Sequence, residues 1–308
     1  MDQTEIVVGV DGSRESLDAA LWAGEHAKRV NGHLTVVCAY PTASYSAAAL
    51  DGGFAVVDDE SLHQGALDAA NEAAAAVREQ VGVDPEVSAL VGDPSIVLAE
   101  LSKECDLIVI GSRGGGGFAD RLLGAVSSAV PAHSKCPVVT VPPHRSGKPF
   151  TPIERIVVGV DGSDQASTAL VKAVDLAFAW QAELTAVVAI PVATAGGAMA
   201  WLPVAVDRQV LLDDIMESLN SAIEKALNGR DMWVARHVLD GSPAALLTEF
   251  STAVDLVVVG TRGRGGFAGM LLGSTSQTVL HHSTCPVMTV PSRHRDRRPS
   301  PTQSWERR

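Results

Sequence analysis

Two glycine-rich blocks carry the residues most able to do chemistry. The first is Gly111-Ser112-Arg113-Gly114, then nine residues, then Gly124-Ala125. The second is Gly260-Thr261-Arg262-Gly263, nine residues, then Gly273-Ser274. Glycines let the backbone approach an anion closely and turn its N–H groups inward. The last glycine of each block opens a predicted helix, whose free N–H groups and positive dipole end suit phosphate. Ser274 and Ser276 add hydroxyl donors to the second block, and Ser127 is the hydroxyl available to the first. Upstream, Asp11 and Asp161 each end a short apolar strand within the same words, Val-Asp-Gly-Ser. A carboxylate there can accept hydrogen bonds from a ribose hydroxyl or help hold a phosphate-bound Mg²⁺. Each feature also has a plain reading: the loop as a flexible connector, the aspartate as a helix cap. Their coincidence at one sheet edge, twice in one chain, favours a mononucleotide site in each copy. Two other nucleotide motifs are missing. There is no GxxxxGK[ST] loop, and strand one runs into Asp-Gly-Ser rather than GxGxxG.

The blocks belong to a duplicated chain. Residues 6–13 recur unchanged at 156–163, and residues 111–142 recur at 260–291 with 20 of 32 positions identical. A long period of matched and unmatched stretches marks a duplicated domain, not a solenoid. The expected organisation is a first domain over 1–142, a linker over 143–153, a second domain over 154–291 and a basic tail over 292–308. In the first copy, strands are predicted over 6–11, 34–39, 86–91, 107–110 and 138–141. Helices are predicted from Ser13, as cap, to Val30 with Gly32 as the stop, and over 61–80, 94–105 and 125–134. Pro131 falls inside the last of these and predicts a kink. Strands alternating with helices imply crossover units and a parallel sheet. In such sheets ligands sit beyond the carboxyl ends of the strands, where the glycine blocks and the aspartates fall.

Composition agrees with this architecture. Of the 308 residues, 46% are apolar, 19% charged and only 4% aromatic, which suits helices on a parallel sheet. No apolar run approaches the roughly 20 residues of a membrane span. The first residues lack the basic and apolar regions of a signal peptide, so a cytoplasmic protein is expected. The net charge of −12 argues against nucleic acid as a partner. From residue 291 onward there are six Arg against Asp296 and Glu306, a tail of +4 on a body of −16. The four cysteines show no CxxC spacing, so neither a zinc site nor a disulfide framework is expected. His281-His282-x-x-Cys285 has loose ligand spacing, matched in the first copy only by His133 and Cys136, and no metal site is assigned.

These residues together resemble the universal stress protein family, as two such domains in tandem. The family's ATP-binding signature is Gly-x₂-Gly-x₉-Gly-Ser/Thr. Gly260, Gly263, Gly273 and Ser274 fit it; Gly111, Gly114 and Gly124 fit it too, but Ala125 departs from it. Val-Asp-Gly-Ser after strand one and Cys-Pro-Val before strand five are similar to the family as well. The resemblance covers residues 4–142 and 154–291. It implies an α/β fold of two tandem Rossmann-like (adenine nucleotide alpha hydrolase-like) domains. Each would be an open parallel five-stranded sheet of order 3-2-1-4-5 with helices on both faces. It implies ATP at the carboxyl edge. Asp11 and Asp161 would meet ribose and the metal–phosphate region, the backbone of Ala39 and Ala189 would meet adenine, and the glycines with Ser274 would hold phosphates beside the backbone of Val126 and Thr275. Ala125 removes one hydroxyl–phosphate bond, worth roughly 1.5–3 kcal/mol, unless Ser127 compensates. The second site is therefore expected to be at least as competent as the first.

An enzyme would need a nucleophile, a general base or a transferring lysine at the phosphates. The loops offer Arg113, Arg262 and Arg264, which either grip phosphate or stand in solvent, and no Lys or His. His133 and His282 fall about two turns along the helix and are expected to pack or meet a neighbour. No catalytic residue is assigned. The reading is an ATP-dependent regulator of stress response, dormancy or growth. The alternatives are a slow ATP hydrolase or adenylate-using enzyme, and a non-binding interaction module, which suits the first copy better. The fifth strands, 138–141 and 287–290, are short apolar edges, and edges invite pairing. They are expected to pair within the chain as a pseudo-dimer, with two chains then forming a homodimer. Segments 43–57 and 193–203 match least between copies and are expected either to cover the nucleotide or to bind partners.

Overall fold

A computed structural model describes residues 3–41, 59–114, 123–144, 149–190, 208–263 and 271–292. Segments 43–57 and 193–203, Arg264 and the tail from 293 onward lie outside the described residues. In chain order the elements are β1 (Glu5–Val10), α1 (Arg14–Val30), β2 (His33–Tyr40), α2 (Asp59–Val81), β3 (Glu86–Val91), α3 (Pro94–Leu101), β4 (Leu107–Gly111), α4 (Ala125–His133) and β5 (Val138–Val141). The second half repeats them as β6 (Arg155–Gly159), α5 (Asp164–Trp180), β7 (Glu183–Ile190), α6 (Arg208–Leu227), β8 (Val234–Asp240), α7 (Pro243–Phe250), β9 (Leu256–Gly260), α8 (Ser274–His282) and β10 (Val287–Val290).

The helix starts follow from single side chains. Ser13 and Ser163 stand in extended conformation, and their hydroxyls accept from the N–H of Ser16 and Ala166. Asp93 caps α3 in the same way, with Pro94 at the first helical position. Several boundaries differ from expectation: β1 ends at Val10 and β6 at Gly159, so Asp11 and Asp161 stand just beyond their strands rather than ending them. The left-handed residue that ends α1 is Asn31, at φ 51°, and not Gly32. Gly32 instead tucks beneath the Thr4 carbonyl, where a side chain would collide. Helix α3 stops at Leu101 rather than near Cys105, where the backbone tightens to i→i−3 bonds from Lys103 to Glu100 and from Glu104 to Leu101. Helix α4 runs through Pro131 to His133.

Each half orders its strands 3-2-1-4-5, all parallel, and the two fifth strands pair antiparallel. Met288 lies opposite Val139, and Val287 opposite Thr140. The result is one ten-stranded sheet, so the expected pairing of the two edges within the chain occurs. Alternate strand residues point to opposite faces. On one face, Ile6, Val8, Val109, Val139, Ile156, Val158 and Met288 form a single core with α1, α2, α5 and α6 that runs across both halves. On the other face the core splits in two, one part under α3 and α4 and the other under α7 and α8. The described part of the connecting segment is packed down. Ile153 is fully buried in the shared core, and His144 stacks on Phe150 while its Nε2 lies 3.6 Å from Asp18 Oδ1. Burial raises the Asp18 pKa, against the pull of His144. No described helix is long and apolar enough to cross a membrane.

Candidate functional site

The carboxyl ends of β1 and β4 bring the first group of residues together. After β1, the Asp11 Oδ1 accepts from the N–H of Ser13 at 3.1 Å and from its hydroxyl at 2.6 Å. In the second half Asp161 Oδ1 accepts from the N–H of Ser163 at 2.9 Å. The aspartates do not cap the helices, which Ser13 and Ser163 do; they brace the turn that presents the capping serine. The other carboxylate oxygen faces the glycine loop. Oδ2 of Asp11 lies where a β-carbon on Gly114 would stand, and Oδ2 of Asp161 does the same at Gly263. Any side chain at these glycines would displace the carboxylate.

The first glycine of each block has a different task. A β-carbon on Gly111 would come within 2.9 Å of the Glu15 backbone, and one on Gly260 within 3.1 Å of Gln165 and the Arg262 carbonyl. These glycines let strand ends β4 and β9 lie against the first turns of α1 and α5. The last glycines, Gly124 and Gly273, return to the strand ends. Their N–H groups bond the carbonyls of Ser112 at 2.9 Å and Thr261 at 2.7 Å. Both are N-caps without a side-chain cap. The first helical bonds are Ser128 N–H to Gly124 and Gln277 N–H to Gly273. The first-turn N–H groups, including those of Ala125, Val126, Ser274 and Thr275, thus have no carbonyl within the helix. A helix start of this kind attracts anions.

Two expected donors are engaged elsewhere. The Ser127 hydroxyl donates to the Ser112 carbonyl at 2.6 Å and accepts from the Gly124 N–H at 2.9 Å. The Ser276 hydroxyl donates to the Gly260 carbonyl at 2.6 Å. Both are buried. They fasten each helix start to the end of the preceding strand, while the second helix also carries the Ser274 and Thr275 hydroxyls in its first turn.

Ala39 and Ala189 are not the last residues of their strands, since β2 and β7 continue to Tyr40 and Ile190. The carbonyls of Tyr40 and Ile190 accept from Gly92 and Gly241, on the β3 and β8 sides. Backbone direction alternates along a parallel strand, so the N–H and C=O of Ala39 and Ala189 face the other way. They point past the ends of β1 and β6, whose last paired partners are Cys38 and Val187. In each half the adenine, ribose and phosphate candidates therefore share one edge.

Sequence reasoning did not foresee that the first site borders the other half. Ser112 and Arg113 line a groove with Pro142 and Pro143, closed opposite by Leu280, His281, Ser283 and Thr284 of the second half. Among the described residues, the buried Ser112 hydroxyl and Arg113 Nε have no hydrogen-bond partner. Leu123, at the end of the first loop, is buried in the second half's core with Val279 and Leu280. Arg262, by contrast, is exposed. His281 and His282 stand with rings 6.3 Å apart, and burial and the neighbouring His282 lower the His281 pKa. Among the described residues no three His, Cys, Asp or Glu side chains group to hold a metal.

Comparison with known proteins assigns the family. The sequence profile of the universal stress protein family matches residues 4–142 and 152–291. Universal stress protein Rv2005c of Mycobacterium tuberculosis is 33% identical over 301 residues, 94% of this chain and 97% of its own. Universal stress protein Rv2623 of the same species is 31% identical over 305 residues, 92% and 95% of the two chains. Among solved structures, a universal stress protein of Archaeoglobus fulgidus superposes with a TM-score of 0.67 at 23% identity, covering 95% of this chain and all of its own. A putative universal stress protein of Pseudomonas aeruginosa gives 0.62 at 19% identity, covering 94% and 93%. The last two show a shared fold. With the profile matched twice and relatives alike over nearly their whole length, the chain belongs to the universal stress protein family.

Proposed function

We propose that the chain is an ATP-binding regulator of stress response, dormancy or growth, acting in the cytoplasm with one nucleotide site at the carboxyl edge of each half. The observation that carries this reading is the contact of Asp161 with Gly263, repeated as Asp11 with Gly114, beside a helix start that has no side-chain cap. A carboxylate, a bare backbone and open N–H donors in one loop cluster match the ribose and phosphates of a nucleotide. The backbone of Ala39 and Ala189 lies at the same edge for adenine. Mg²⁺, when bound with ATP, would neutralise phosphate charge, and Asp11 and Asp161 are the carboxylates placed to hold it.

The second site is the stronger on this reading, because Ser274 keeps the hydroxyl that Ala125 lacks while Ser127 is already engaged. Regulation is favoured over turnover by the described loop residues. Their basic side chains, Arg113 and Arg262, provide neither a nucleophile nor a proton acceptor at neutral pH. Nucleotide would then act by binding two states of the protein unequally. A homodimer of chains would need a surface other than the fifth strands, which are used up within the chain.

Mass spectrometry of nucleotide released from the denatured, purified protein tests the reading. ATP is the expected species. ADP or AMP in its place would move the assignment to a hydrolase. No released nucleotide, together with no heat of binding on titration with Mg-ATP, would remove it.

A further inference from the structure

The first half holds two thiols in contact. Cys105 Sγ and Cys136 Sγ lie 3.6 Å apart, although the residues are 31 positions apart in sequence. Cys105 sits in the turn between α3 and β4, and Cys136 just before β5, so they meet at the amino edge of the sheet. Both pack in the core under α3 and α4. Cys136 is buried, while Cys105 is partly exposed next to the exposed Lys103 and Glu104. The second half has no such pair. Val254 occupies the place of Cys105, and Cys285 packs in the same cluster as that valine. Cys38 lies apart in the shared core.

We propose that Cys105 and Cys136 form a redox modification site, converted by oxidants of the peroxide class to a reversible intramolecular disulfide. The Cys105 thiolate attacks one peroxide oxygen, the O–O bond breaks, and hydroxide leaves, giving a sulfenic acid. The Cys136 sulfur then attacks that sulfur; the S–S bond forms, and the hydroxyl leaves as water with the Cys136 proton. Overall two thiols lose two electrons and two protons, and one peroxide becomes two waters. Bonding brings the sulfurs from contact to about 2.0 Å. Cys105 is the less buried of the two, in a turn whose Lys103 and Glu104 are exposed.

The hydrogen bond with the Cys136 thiol first, then burial and the Asp106 carboxylate, hold the Cys105 thiol well above its ordinary range. The reaction is therefore slow at neutral pH and speeds up as pH rises, because the thiolate is the nucleophile. The consequence is local and one-sided. The covalent ring would run from 105 to 136 and enclose β4, Gly111, Gly114, Gly124 and α4. It ties together the two ends of the segment that bears the first glycine block and leaves the second block untouched.

Treating the reduced full-length chain with hydrogen peroxide tests this without any nucleotide. The expected result is a mass loss of about 2 Da, with two of the four free thiols no longer titrating. Proteolysis should yield one Cys105–Cys136 linked peptide, and dithiothreitol should reverse the change. Cys105→Val, which installs the residue of the second half, should abolish the mass loss. Cys136→Ser should instead trap a sulfenic acid on Cys105 that reacts with dimedone. Four thiols still titrating after peroxide, or a loss of about 2 Da that persists in Cys105→Val, would overturn the proposal.

Discussion

Trp180 donates its indole N–H to Nδ1 of His26 across 3.2 Å, and the two residues come from different halves of the chain. The imidazole stacks on Trp22 at 5.4 Å and on Trp180 at 6.2 Å. It is buried, and the Arg29 guanidinium lies over the far ring of this sandwich. An imidazole that accepts at Nδ1 must be neutral there. Burial first, and the Lys172 ammonium second, bring its pKa down from 6.5 to about 4.

The sign follows from linkage. The folded state holds the His26 proton less tightly than the unfolded state, so its contribution is complete above pH 6.5 and is lost as pH falls through about 4. The shift corresponds to about 3 kcal/mol. Urea unfolding across this window should show that loss, and His26→Gln, which keeps an acceptor but does not titrate, should remove most of it. A pH dependence unchanged in His26→Gln would show that other groups set it.

The contact of Asp161 with Gly263 predicts two variants with one effect. Gly263→Ala puts a methyl group where Oδ2 now lies, so the carboxylate must turn away. Asp161→Asn keeps the Oδ1 acceptor for Ser163 and removes the charge. Each should weaken Mg-ATP binding at the second site by roughly ten- to a hundredfold, the worth of a hydrogen bond to a charged group. Isothermal titration reads this directly, and unchanged affinity in both variants would dissociate the pair from the ligand.

The spent hydroxyl of Ser127 makes the first site testable by gain. Ala125→Ser restores a hydroxyl at the start of α4 without disturbing the Ser127 bonds to Ser112 and Gly124. It should tighten nucleotide binding at the first site by about tenfold, and Ser274→Ala should weaken the second by about as much. A two-site isotherm separates them. No change in either would mean that these hydroxyls do not reach phosphate.

The sequence exposed the scaffold because most strands are short apolar runs, many of them β-branched, between glycine, aspartate or proline signals. Strands β3, β5 and β10 begin and end where those signals place them. The edge-to-edge join was legible because a short apolar fifth strand has no other use for its free side. What escaped depends on packing across long separations. The turn of Ser127 and Ser276 toward the preceding strand exists only once the loop has folded back onto it. Asn31 and Gly32 are both able to end a helix, and the approach of the Thr4 carbonyl decides between them. The Cys105–Cys136 and His26–Trp180 pairs, 31 and 154 residues apart, leave no periodic trace in the sequence.

The continuous core predicts that the two halves unfold together. Tandem domains joined by a loose linker melt as separate units. Here α1, α2, α5 and α6 share one core over the ten-stranded sheet, with Ile153 of the connecting segment buried in it. Calorimetry should therefore show one transition for the full chain in the absence of nucleotide. Met288 is the place to break it, since it is 3% exposed and lies opposite Val139 at the join. Met288→Glu buries a charge without a partner at the seam, at a cost of several kcal/mol, and also loads β10 where it pairs with β9 of its own half. The variant should show two transitions at lower temperature. A single transition in the variant would mean that the helix layer, through Trp22, His26 and Trp180, couples the halves without the strands. Two transitions already present in the unsubstituted chain would mean that the shared core does not couple them at all.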